Sequence, residues 1–101
     1  MTTEQKAART ALLVTTEHRG VFFGYGQKPN GSIPDALELK DARMCVSWSA
    51  DVRGVHGLAA VGPSKNCRVG IKVPSLTLNK ITSIAECSDE ATQQWEKGPW
   101  V

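Results

Sequence analysis

Short stretches in which apolar and polar residues alternate, each closed by glycine, proline or asparagine, constrain this chain more than any other feature. In Ala42–Trp48, Met44, Val46 and Trp48 fall on one side and Arg43, Cys45 and Ser47 on the other. In Cys67–Val73, Val69, Ile71 and Val73 alternate with Arg68, Gly70 and Lys72, and Pro74 follows. A period of two is the pattern of a strand with one buried face. The alternation therefore predicts that Met44, Val46 and Trp48 enter the core while Cys45 faces away.

The remaining stretches read the same way. Thr10–Thr16 and Gly20–Gly24 flank the polar turn Glu17-His18-Arg19-Gly20, which predicts a β-hairpin with Gly20 where positive φ is cheap. Gly24 and Gly26 around Tyr25 predict a bulge or sharp bend. Gln27–Asp35, with two prolines and an Asn-Gly pair, is a loop, long for a hairpin connection. Ala36–Leu39 alternates again, and Lys40-Asp41 offers a turn. Leu76–Ala85 reads as a further strand that turns near Asn79.

Helix signals are fewer. Val52–Gly62 admits a helix, a strand or a Gly-rich excursion; one helical turn around Leu58-Ala59-Ala60, closed by Gly62 and Pro63, is the favoured reading. Ser88 precedes Asp89 and Glu90, an N-cap with acids that complement a helix N-terminus, and Ala91 and Trp95 share a face four residues apart. Gly98 and Pro99 stop that helix.

The expected fold is mainly β (α+β): a small curved antiparallel sheet, or an SH3-like partly open barrel, with a C-terminal helix. At 101 residues the chain is one domain. Residues 1–9 form a flexible lead, 10–97 a single β-rich domain, and 98–101 a short tail carrying the apolar Trp100.

Charge is informative in its placement. The net charge is only +2, yet no acid occurs between Asp51 and Glu86, where Arg53, His56, Lys65, Arg68, Lys72 and Lys80 lie. The end then turns acidic with Glu86, Asp89, Glu90 and Glu96. Three cysteines, an odd count with no Cys-x-x-Cys pair, fit neither a disulfide framework nor a zinc site. No stretch approaches the ~20 apolar residues of a membrane helix. The expected setting is the cytoplasm, with reduced thiols and no membrane association.

The residues do not spell out a reaction. No phosphate-binding Gly-x-x-x-x-Gly-Lys-Ser/Thr loop and no Gly-x-Ser-x-Gly elbow is present, and the spaced glycines of Gly20–Gly26 lie inside a hairpin. Cys45 with His56 is the one conceivable nucleophile and base, but nothing positions a third group. The expectation is no catalytic residue, no metal and no cofactor. What remains is a binding face: Arg53 and Arg68 first, then Lys65, Lys72 and His56 for phosphates or carboxylates, with Trp48 or Tyr25 to stack a base. The opposite signs of the middle and the end, with Trp100, suggest a homo-oligomer.

Three runs carry a resemblance: Thr15–Gly24, Trp48–Gly70 and Ile81–Glu96. They are similar to small, mostly uncharacterised proteins of bacteriophages and prophages, over roughly residues 11 to 96. The resemblance implies a phage or prophage setting inside a host bacterium and assigns no residue a role. Small phage proteins of this size include inhibitors of bacterial defence, anti-CRISPR proteins among them. The implied function is a non-enzymatic inhibitor that occupies a site on a host defence complex, protein or nucleic acid. The alternative is a nucleotide- or nucleic-acid-binding module, including a sponge for a nucleotide signal.

Overall fold

The computed structural model describes residues 10–29, 31–52 and 54–97. The expectations for residues 1–9, Arg53 and the 98–101 tail lie outside the described residues. Among the described residues there are six strands: β1 (Thr10–Thr16), β2 (Gly20–Gly26), β3 (Ala36–Ser47), β4 (Arg68–Val69), β5 (Val73–Asn79) and β6 (Ile81–Glu86). Two α-helices, α1 (Val55–Ala60) and α2 (Asp89–Lys97), accompany them. The ladders run in the order β4-β3-β2-β1-β6, and β5 pairs with the first half of β3. All pairings are antiparallel. β5 and β6 are joined at Lys80 (φ 53) without pairing, so the curved sheet stays unclosed.

The hairpin expected at the start is β1–β2, in full register from Thr10↔Gly26 to Thr16↔Gly20. Its turn is one of 3-10 type over Glu17–Arg19. The positive φ falls on His18 (63°), whereas Gly20 is extended at −70°. Space is tight at Gly20 instead: a Cβ there would overlap the Thr16 hydroxyl and sit 2.9 Å from the Phe22 ring, so those side chains would have to shift.

β3 corrects the sequence reading most. It runs unbroken through Lys40-Asp41, where a turn was expected. Opposite β2 its register slips, from Phe23↔Arg43 to Tyr25↔Lys40, so β3 carries one residue more than its partner. Asp41, at φ 49, marks this bulge. The extra residue inverts the faces beyond it. Cys45 is therefore buried and Arg43 nearly so, while Met44 and Val46 are 42% and 57% exposed. Trp48 is half-buried against the core. The bend also accounts for Gly24: a Cβ there would stand 2.7 Å from the Cβ of Leu39.

The expected strand over Cys67–Val73 is shorter than its alternation suggested. β4 holds only Arg68 and Val69; Ile71 is 72% exposed on an irregular link, and β5 starts at Val73. Turning at Lys80 agrees with the break foreseen near Asn79.

The core lies on both faces of the sheet. One face packs Leu13, Val21, Phe23, Cys45 and Val69 against Leu58, Ala59, Ala91 and Trp95 of the helices. On the other, Leu12, Val14, Leu39, Ala42 and Leu78 are enclosed by the sheet's own curvature. Ser88 caps α2 as expected, its hydroxyl accepting from the Ala91 N–H at 3.0 Å. That hydroxyl also donates to the Ala60 carbonyl at 2.6 Å, which ties α2 to α1. Trp95 stacks on Phe23 with ring centroids 5.0 Å apart and planes 8° from parallel. Its indole N–H donates to the Leu58 carbonyl at 2.9 Å. Gly62 lets the helices close: a Cβ there would lie 2.8 Å from the Ala91 carbonyl.

Trp95→Ala should lower stability by about 3–5 kcal/mol, because the ring is fully buried and bonded at its polar edge. Ser88→Ala should cost about 1 kcal/mol. Urea denaturation followed by circular dichroism measures both.

Candidate functional site

Where the hairpin, the start of β6 and α1 converge, a cleft of about 490 Å³ opens. β2 supplies Val21, α1 supplies Val55 and His56, and the end of β3 leads to Trp48. These make an apolar wall with an imidazole beside it. Thr15, Thr16, Thr82 and Ser83, each bearing a hydroxyl, complete the lining. Apolar walls with a few placed polar groups are the usual make-up of a ligand site.

The hydroxyls are brought together by a register slip. β1 pairs Thr15 with Ser83 but Thr16 with Ile81, so Thr82 is the extra residue on β6. As a result Thr15 Oγ1 lies 2.7 Å from Thr82 Oγ1 and 2.5 Å from Ser83 Oγ. Hydroxyls rotate to donate or accept, so a trio of them reads sugar or base edges without a fixed charge. Thr82 and Ser83 also border a second cleft, of about 360 Å³, under Lys28, Pro29 and Ile33 of the long loop. Lys28 reaches Glu86 at 3.6 Å, holding that loop near β6.

Of the residues singled out from the sequence, Trp48 and His56 share the first cleft. Lys72 is elsewhere: its ammonium donates to Glu96 at 2.6 Å, beside the Tyr25 hydroxyl, which donates to the other Glu96 oxygen at 2.7 Å. Burial alone would raise the Glu96 carboxyl, but these two hydrogen bonds and the Lys72 charge hold it below the usual range. Tyr25 is thereby engaged with α2. Arg68 is exposed on β4 opposite Ser47, and Lys65 is exposed in the turn before it. Arg53 lies outside the described residues. Asp51 accepts from the Ser49 hydroxyl, and hydrogen bonds from Ser49 and Ser64 lower its carboxyl, so it belongs to a loop tie. The hydroxyl trio was missed by sequence reasoning; only the β-branched, Ser/Thr-rich strands hinted at it.

Cys45 does not suit nucleophilic chemistry. Burial, reinforced by the neighbouring Cys67 thiol, pushes its own thiol up to about 12, and it donates to the Ser47 carbonyl at 3.4 Å. Burial pushes Cys87 up to about 12 as well. A thiol held there stays protonated near neutrality, and the thiolate is the reactive form. Among the described residues, no three of His, Cys, Asp and Glu come together as metal ligands, and no helix is long and apolar enough to cross a membrane.

Residues 9–95 match the model of a domain of unknown function, DUF6948. The chain belongs to that family. No curated protein and no solved structure matches it.

Two measurements check this account. Cys45 and Cys87 should react with a chromogenic disulfide reagent at pH 8 more than about tenfold more slowly in the native protein than in denaturant. Glu96→Gln should lower the melting temperature slightly at pH 7. Because the folded carboxyl is depressed, its contribution is present above the ordinary carboxylate value and is lost as pH falls through the depressed one. The gap between wild type and variant should therefore close on acidification.

Proposed function

We propose that this domain is a non-enzymatic binding protein whose ligand seat is the Trp48–His56 cleft. The observation that carries the reading is the pairing of an aromatic and apolar wall with the Thr15–Thr82–Ser83 hydroxyls across one opening. A flat ring stacks on Trp48, hydroxyl-bearing groups meet the trio, and His56 stands at the edge for a polar substituent. A nucleotide combines these parts. In the phage or prophage setting implied by the resemblance, such a protein inhibits a bacterial defence system by withholding a nucleotide signal, or by covering the site where that signal or a guide nucleic acid is held. It acts in the host cytoplasm.

Isothermal titration against a panel of mono- and cyclic dinucleotides tests the proposal. At least one should bind, and Trp48→Ala should weaken it by about tenfold or more, equivalent to the ~1–3 kcal/mol of a stacked base. Absence of binding to every member, or unchanged affinity in folded Trp48→Ala and Thr82→Val variants, would remove the cleft as a nucleotide site.

A further inference from the structure

The face of β3 past the Asp41 bulge carries apolar residues that nothing covers. β5 pairs with β3 only as far as Ala42↔Val73. Beyond that point Met44, two residues on from Ala42, stands open, and so does Val46, the unpaired residue at the β3–β4 register slip between Cys45 and Ser47. Phe22, half-buried, lies opposite Met44 in the β2–β3 ladder. The N–H of Gly70 donates to the Met44 carbonyl at 2.9 Å, bringing the link that bears Ile71 alongside. Three of the five large apolar side chains exposed among the described residues thus belong to this region: Met44, Val46 and Ile71. Neighbouring exposed aliphatics on one sheet face mark contact with another molecule more often than scattered ones do.

The border of this patch is cationic. Val69 turns inward on β4, so Arg68 turns outward, exposed and beside Ser47. Lys72, from the same link, is neutralised by Glu96 and contributes no free charge. No acid occurs in β2, in the second half of β3 after Asp41, or anywhere in residues 52–85. The surface is aliphatic at its centre, with the half-buried Phe22 ring beside Met44 and a guanidinium at its rim. One guanidinium suits a single carboxylate better than a run of phosphates, whose binding draws on many cations.

We infer that the outer face formed by Met44, Val46, Ile71 and Arg68 docks an acidic, amphipathic protein segment. The aliphatic side chains take its apolar stripe, with Met44 adapting to its shape. Arg68 grips a carboxylate through two parallel hydrogen bonds. This inference does not depend on the Trp48 cleft, since the two sites share no residue.

The test uses isotope-labelled protein and two synthetic amphipathic helical peptides, identical except that one carries Glu where the other carries Lys. The Glu peptide should shift the signals of Met44, Val46, Arg68 and Ile71, more weakly at high salt, and the Lys peptide should not. Arg68→Glu should weaken binding about fivefold. The double substitution Met44→Ser with Val46→Thr, made at exposed positions, should abolish it with the circular dichroism spectrum unchanged. Equal shifts from both peptides, shifts centred elsewhere, no shifts, or the same residues responding to a single-stranded oligonucleotide would overturn the inference. So would light scattering that finds a wild-type dimer and a monomeric double variant, which would assign the face to a second copy of this chain.

Discussion

The two helices and the sheet face they cover meet at the ring of Trp95. The indole stacks on Phe23 in the middle of the sheet and donates to the Leu58 carbonyl in α1. The Trp95 carbonyl in turn accepts from the Arg43 guanidinium at 2.7 Å, so a residue of β3 closes the C-terminal end of α2. One side chain and its own peptide group therefore join β2, β3, α1 and α2. The nearly complete burial of Arg43 follows from that arrangement: its charge is held against a helix C-terminus, where cations are favoured. The position of α1 is set by the same contact, and with it the placement of Val55 and His56 across from the hydroxyls of β1 and β6.

The sequence disclosed what local chemistry governs. The β1–β2 hairpin, the Ser88 cap, the burial of Ala91 and Trp95 and the break between β5 and β6 all follow from turn residues, capping and period. What it concealed is a single inserted residue. Asp41 adopts positive φ and flips the faces of one continuous β3, whereas Lys40-Asp41 reads as a turn between two strands, and alternation within Ala42–Trp48 alone does not say which of its faces meets the helices. Cys45 and Met44 consequently exchanged the roles expected of them. Positive φ likewise fell on His18 rather than Gly20, inside the 3-10 turn that joins β1 to β2.

The candidate site was legible in the same uneven way. Trp48 and His56, eight residues apart in the chain, were singled out by type and do line one cleft. The charge of Lys72 is cancelled by a carboxylate distant in sequence, a pairing that only the folded chain creates. Thr15 and Ser83 meet through the β1–β6 ladder, a contact between opposite ends of the domain, and no pattern within either strand announces it.

That same ladder governs how the chain acquires its shape. Among the described residues β1 is the first strand and β6 the last, and their register joins Leu12 to Glu86. While the polypeptide is emerging, β1 has only β2 beside it and its other edge stays unpaired until nearly the whole domain has been synthesised. The loop to be closed spans nearly all of the described domain, so ordering waits for β6 and the exposed edge must be kept from other chains meanwhile. A ribosome that stalls before β6 releases a hairpin and a bent β3 with their apolar faces open, a species suited to aggregation rather than to partial function.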